Sequence, residues 1–293
     1  MPTSDTGPTG PERRRLRRDV IAGVLAVAAA ATVLAVVPSL AKSDGKPGAQ
    51  SRRTRPAATA TEPASSAGPG TAAAGPPAVT ASQLAHAADA VHAAIASGRI
   101  LFIGASYTVG WGATTQLDAY PDLVATALNA QYRVNAVAGT GFVNGGPHNN
   151  QSFADRIAAI SATDQPRLVI IQGGRDDVAF PAGVVGRAAG ATITLARQRF
   201  PRARIVVLGP IPASVPVSAR LAAVNDTIAA AVVKAGAGYV NPIAAGWISR
   251  ANEHRYQGRV PGHPNNAGYA YIADRFETAL PTALAQAEPP AGV

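Results

Sequence analysis

The stretch "RILFIGASYTVGWGA", residues 99–113, carries an apolar run from Ile100 to Ile103 that ends at Gly104 and passes into a turn of small residues around Ser106. A short apolar run stopped by glycine reads as a buried strand. Ser106 is then either a nucleophile at a strand end or a polar residue in a tight turn. Four more runs of the same kind follow: "YRVNAVAG" (132–139), "RLVIIQGG" (167–174), "RIVVLGPI" (204–211) and "AGYVNP" (237–242). Helical spacing fills the stretches at 83–97, 116–129, 152–162, 182–199, 217–235 and 265–284. Strands alternating with helices predict an α/β fold, a three-layer α/β/α sandwich around a mainly parallel five-stranded sheet, because each crossover needs a helix to return the chain. In such sheets ligands bind beyond the carboxyl ends of the strands. The residues there are Gly104-Ala105-Ser106, Gly139-Thr140-Gly141 and Gly174-Arg175-Asp176-Asp177, with "PGHPNNAGY" (261–269) and His263 ahead of the last helix. These four segments are expected on one rim.

In that order and spacing, over about residues 99–284, the segments resemble the SGNH, or GDSL-like, hydrolases, esterases and acyl hydrolases with a flavodoxin-like fold. The resemblance makes Ser106 the nucleophile, although "GASY" stands where GDS is common. It makes Gly139 the oxyanion-hole glycine of the second block, with Gly141 as the other register. It aligns "QGGRDDV" (172–178) with the third block, Gly-x-Asn-Asp, so that Gly174, Arg175 and Asp176 face oxyanion or substrate and Asp176 holds the asparagine position. His263 becomes the general base.

That chemistry has a reason for each group. A serine hydroxyl needs a base to take its proton during attack and to return it to the leaving group. The tetrahedral oxyanion needs donors already in place. Two positions depart from the pattern. The family's aspartate three residues before the histidine is Val260 here. Losing such a carboxylate costs about 10⁴ in turnover where nothing replaces it, so a backbone carbonyl or a borrowed carboxylate is expected to hold His263. Asp176 is the second departure. Losing one oxyanion donor costs about 2.7–4 kcal/mol, and like charges at 4 Å add about 4 kcal/mol at an effective dielectric of 20. Three arrangements avoid this: Asp176 stays protonated, turns away, or contacts His263.

Composition narrows the alternatives. The chain has 293 residues, a formal charge of +9 and no cysteine, which removes thiolate catalysis, disulfides and cysteine zinc sites. Residues 81–293 carry 16 basic and 12 acidic residues, and their arginines are scattered singly, unlike a nucleic-acid face; no nucleic-acid partner is expected. The histidines His86, His92, His148, His254 and His263 lack metal-ligand spacing, so neither metal nor cofactor is expected. "GTGFVNGG" (139–146) lacks the third glycine of a dinucleotide fingerprint, and no Gly-Lys-Ser/Thr is present for a phosphate loop. Trp111, Tyr107 and Phe142 follow the first two strands and read either as an apolar wall for an acyl or sugar group or as core.

The first eighty residues have another character. Basic residues 1–19, with "RRRLRRD" at 13–19, precede 22 uncharged residues at 20–41. About 20 apolar residues span a bilayer, whereas a signal's apolar region runs about 7–15. The length favours a retained transmembrane anchor with the bulk of the chain outside; the opposing reading is a signal cleaved after "SLA" (39–41). Residues 42–80 are rich in Ala, Pro, Ser, Thr and Gly and read as a disordered tether. The expected protein is therefore an extracytoplasmic serine hydrolase, residues 81–293, that cleaves an ester such as an O-acetyl group of envelope polysaccharide or a lipid-like ester. An acyltransferase with the same site and an impaired, glycan-binding domain are the alternatives; oligomeric state is not encoded in these patterns.

Overall fold

A computed structural model describes residues 98–287 apart from 149, 150 and 162, together with residues 80, 82, 85, 86, 89 and 93. The five apolar runs form β1 (Arg99–Gly104), β2 (Gln131–Ala136), β3 (Leu168–Gln172), β4 (Arg204–Leu208) and β5 (Gly238–Val240). They make one sheet in the order β2-β1-β3-β4-β5, every neighbouring pair parallel. Seven helices lie along the described chain from residue 98 onward: α1 (Ser106–Val109), α2 (Tyr120–Ala127), α3 (Phe153–Ala159), α4 (Ala182–Arg199), α5 (Ala219–Lys234), α6 (Glu253–Tyr256) and α7 (Asn266–Gln286).

Successive side chains of a strand point to opposite faces, and here both faces are covered, which is why the strands read as unbroken apolar runs. Ile100, Phe102, Leu168, Ile170, Val206 and Leu208 pack on one side with residues of α2 and α7, among them Val124, Ile272 and Phe276. Leu101, Ile103, Val169, Ile171, Ile205 and Val207 pack on the other with Ile157, Val185, Ile193 and Ile228 from α3, α4 and α5. Each buried branched side chain contributes about 1.5–3 kcal/mol, and the two clusters hold β1 and β3 at the centre of the sheet.

Several boundaries differ from the sequence pattern. β1 ends at Gly104 as expected, whereas β2 to β5 stop two or three residues early; after β2 and β3 the chain turns out of the ladder at Gly139 and Gly174, with φ of +76° and +110°, a conformation glycine takes without strain. The expected helix at 116–129 is split by the extended Ala119 into a 3₁₀ turn (Gln116–Asp118) and α2; Pro121 starts α2, where its missing N–H costs nothing. The short α1 and α6 were not visible as periodicity. Of the helix expected at 83–97 only scattered residues are described, and they are helical. The anchor or signal segment 20–41, its flanks 1–19 and nearly all of the linker 42–80 lie outside the described residues; among the described residues no helix is long and apolar enough to cross a membrane.

The edge where the strands begin is also where the long helices end, and arginines serve it. Arg197 donates to the Gly236 carbonyl beyond α5, Arg199 to the Ile160 carbonyl beyond α3, and Arg204 to the Leu284 carbonyl in α7 at 3.1 Å. They donate to carbonyls at or just beyond helix termini, a structural use for singly scattered arginines.

Candidate active site

β1 delivers Ser106 through a turn in which a side chain at Gly104 is impossible, since a Cβ there would lie 1.9 Å from Thr108 Oγ1. The chain then winds into α1, closed by Gly110 at φ +92°. Ser106 is 8% exposed, and its Oγ lies 2.8 Å from His263 Nε2. The other ring nitrogen, Nδ1, is 3.0 Å from the Pro261 carbonyl. A carbonyl only accepts, so Nδ1 carries the proton and Nε2 presents its lone pair to the serine hydroxyl. No carboxylate orients the imidazole; the carbonyl does.

His263 is held by its loop. Its N–H donates to the Val260 carbonyl at 3.0 Å, and its own carbonyl accepts from the Gly258 N–H at 2.7 Å. Asn265 caps α7 through the Gly268 N–H while its amide donates to the Arg255 and Gln257 carbonyls. The Gly262 carbonyl accepts from the Tyr107 hydroxyl at 3.0 Å and from Arg175 Nη1 at 2.8 Å, and the Arg175 guanidinium lies 4.9 Å from the centre of the Tyr107 ring. The first and third loops thus grip the fourth. Partial burial, opposed by the Pro261 carbonyl and aided by the Arg175 charge, holds the His263 pKa below its usual value, so the imidazole is neutral near pH 7, the form that can accept a proton.

Ser106, Gly139, Asp176 and His263 line one pocket of about 250 Å³, with Trp111, Gln172 and Arg175. The Ser106 and Gly139 amides have no partner among the described residues. The Asp176 carboxylate has none either, and both nitrogens of His263 are taken, so Asp176 does not orient the imidazole. Burial raises its pKa, against the lowering effect of Arg175 and with a further rise from Asp177.

Gly174 is not part of this pocket. A Cβ on it would sit 2.8 Å from Ile228 Cδ1, so it faces the core, and Gly173 takes its expected place in the lining. Gly141 is likewise occupied elsewhere. Asp177 is fully buried and accepts the N–H groups of Phe142, Val143 and Asn144 at 2.9, 2.9 and 3.0 Å, bracing the second loop. A Cβ on Gly141 would come within 2.3–2.5 Å of that carboxylate. Gly141→Ala is therefore expected to lower the unfolding free energy by about 1–3 kcal/mol, the usual effect of overpacking, read as a lower urea midpoint.

Of the three aromatics, Phe142 is core, 5.0 Å from the Phe153 ring centre. Tyr107 is buried but reaches both pocket and clamp. Trp111 is 48% exposed, 5.5 Å from the imidazole ring centre. His148 and His254 lie outside the pocket, and His86 is exposed beside Ser82; His92 lies outside the described residues. The sequence reading missed the Tyr107–Arg175–Gly262 clamp and Gln172, whose buried amide oxygen accepts from Thr108 Oγ1.

Comparisons with known proteins place the chain in a family and the fold among solved structures. The GDSL-like Lipase/Acylhydrolase family matches residues 102–271. The GDSL lipase Rv0518 of Mycobacterium tuberculosis is 29% identical over 190 residues, 60% of this chain and 79% of that protein. A carbohydrate esterase family 2 enzyme with a carbohydrate binding domain from Corynascus thermopiles superimposes with a TM-score of 0.52 at 22% identity, over 64% of this chain and 66% of that one, just under two thirds of its length. A putative lipolytic protein of the G-D-S-L family from Desulfitobacterium hafniense gives 0.52 at 14% identity, over 62% and 98%. These two likenesses concern the fold; the family match and the lipase relative support an esterase-type hydrolase. The chain belongs to the GDSL-like lipase/acylhydrolase family.

Proposed function

We propose that this protein is an extracytoplasmic serine ester hydrolase in which Ser106 is the nucleophile and His263 the base. The observation that carries the reading is the 2.8 Å hydrogen bond between Ser106 Oγ and a neutral imidazole whose other nitrogen is tied to a carbonyl. Ser106 Oγ bonds to the ester carbonyl carbon as its proton passes to His263 Nε2. The carbonyl oxygen becomes an oxyanion, for which the Ser106 and Gly139 amides are the donors. On collapse the alkoxide leaves with the proton from Nε2, and water, deprotonated by the same nitrogen, releases the acid.

The pocket is small enough to suit a short acyl group, and the half-exposed indole of Trp111 beside the imidazole offers a face on which a sugar ring can stack. We therefore favour O-acyl groups on envelope polysaccharide as substrate. The placement outside the membrane rests on the basic run 13–19 and the uncharged stretch 20–41.

Incubation of the full chain with a fluorophosphonate is expected to label Ser106, and acetate is expected to be released from an O-acetylated polysaccharide. No labelling at any pH would overturn the assignment, and retained glycan binding would then identify a non-catalytic domain. Because the His263 pKa lies below its ordinary value, the base is charged only as pH falls through that lowered pKa. The acid limb of kcat/KM is accordingly expected below about 6.5, the unperturbed histidine value.

A further inference from the structure

The carboxyl of Asp176 stands in the same pocket as the nucleophile and the base, yet nothing described neutralises it. Arg175 is adjacent in sequence, but its guanidinium donates to the Gly262 carbonyl and lies over Tyr107, and no ion pair joins it to Asp176. His263 has no nitrogen left for it. Asp177 beside it is already committed to three backbone amides. Tyr107, the remaining titratable neighbour, donates to Gly262. The main chain of Asp176 is fixed, its carbonyl accepting from Asn144 Nδ2 at 2.9 Å, which holds the residue in the lining of the pocket that Ser106 and Gly139 also line. Ionised, it would repel an ester oxygen turning negative in that pocket; protonated, it presents an O–H donor of the size and reach of an asparagine amide.

We propose that Asp176 works as the undissociated acid, its O–H donating a hydrogen bond to the developing oxyanion, so that full ester hydrolysis is confined to an acidic window. This rests on the Ser106–His263 reading. No proton moves from Asp176 in the step; the proton that travels is the serine's, by way of His263 Nε2 to the leaving alkoxide. The electrostatics agree in direction: burial raises the Asp176 pKa, Arg175 lowers it by less, and Asp177 raises it further. The window then closes on its acid side when His263 takes a proton and on its alkaline side when Asp176 loses one.

The test is kcat/KM against pH for the full chain on triacetin, a short alkyl ester, followed as acid released at fixed pH. Wild type is expected to fall about 10²–10³-fold on the alkaline side, the worth of one oxyanion donor, while Asp176→Asn is expected to keep the acid limb and hold its rate above it. At alkaline pH the variant should therefore be the faster enzyme by that factor. An alkaline fall that persists in Asp176→Asn, or a variant slower than wild type at every pH, overturns the proposal while leaving the hydrolase standing. Absence of turnover and of Ser106 phosphonylation in wild type overturns both. Should the variant not fold by circular dichroism, phosphonylation of wild type decides: its rate is expected to show the same alkaline fall, and a rate that climbs or stays level there overturns the proposal.

Discussion

Ser106→Ala is expected to lower kcat for ester hydrolysis by about 10⁴–10⁶-fold, the range seen when one member of a nucleophile–base unit is removed. The melting temperature should hardly move. The reason lies in what the hydroxyl touches: Oγ meets His263 Nε2 at 2.8 Å, while the fold around it rests on main-chain bonds of the turn, from the Thr108 and Val109 N–H groups to the Ala105 carbonyl. Removing one oxygen from a pocket-facing side chain leaves those bonds in place. His263→Ala should cost about as much as Ser106→Ala, and the double variant little more, because in the proposed reaction the two residues share one proton transfer. Steady-state rates on a nitrophenyl ester, set beside thermal melts of the same samples, check both halves of the expectation. A Ser106→Ala enzyme that retains its rate would remove Ser106 from the reaction.

Arg156→Met is expected to destabilise the protein by about 3–5 kcal/mol, because several buried acceptors lose a donor at once, at about 1–3 kcal/mol for each one left unsatisfied. Arg156 is 7% exposed and has no carboxylate within ion-pair distance among the described residues. Its guanidinium instead donates to the carbonyls of Gln151 at 3.1 Å, Asn135 at 2.5 Å and Gly104 at 2.8 Å, to Asn135 Oδ1 at 3.0 Å and to Thr140 Oγ1 at 3.1 Å, above the Phe153 ring. Burial lowers its pKa to about 10, so it is charged at neutral pH. Methionine fills the volume but takes the guanidinium donors away from those acceptors, of which the Gly104 carbonyl keeps the Val137 N–H at 3.2 Å; a buried acceptor left without a donor costs about 1–3 kcal/mol. Arg156→Lys keeps the charge without the planar fork and should fall between. Urea unfolding of the three proteins orders them. Because Gly104 and Thr140 belong to the two loops that carry Ser106 and Gly139, the methionine variant should also lose catalytic rate at temperatures where it is still folded.

The parallel sheet and the burial of both its faces were legible because unbroken apolar runs such as Val169–Ile171 have one cheap explanation, a strand covered on both sides. The rim residues were legible through chain order alone, and Ser106, Gly139 and His263 do line one pocket. Gly173 and not Gly174 lines the pocket, and a Gly-Gly pair offers no sequence signal for which member does so, since a side chain on either would meet core residues, Phe153 for Gly173 and Ile228 for Gly174. Arg156 was invisible for a similar reason. A lone arginine on an amphipathic helix reads as surface, and what draws this one inward is a set of carbonyls from three separate segments that no local pattern announces. The carbonyl that orients His263 could be anticipated only as a type of partner, since Pro261 contributes a main-chain atom present at every position.

That last feature has an evolutionary and engineering side. An imidazole steered by a side-chain carboxylate is lost with a single codon change, whereas one steered by the Pro261 carbonyl, with its neighbour Gly262 gripped through another carbonyl, owes its orientation to the path of the polypeptide. Replacements at positions 259 and 260 that preserve this path are expected to leave the imidazole in place. One-residue insertions or deletions between Gln257 and Asn265 would displace the Pro261 and Gly262 carbonyls relative to the His263 ring, and are expected to cost the imidazole its orientation.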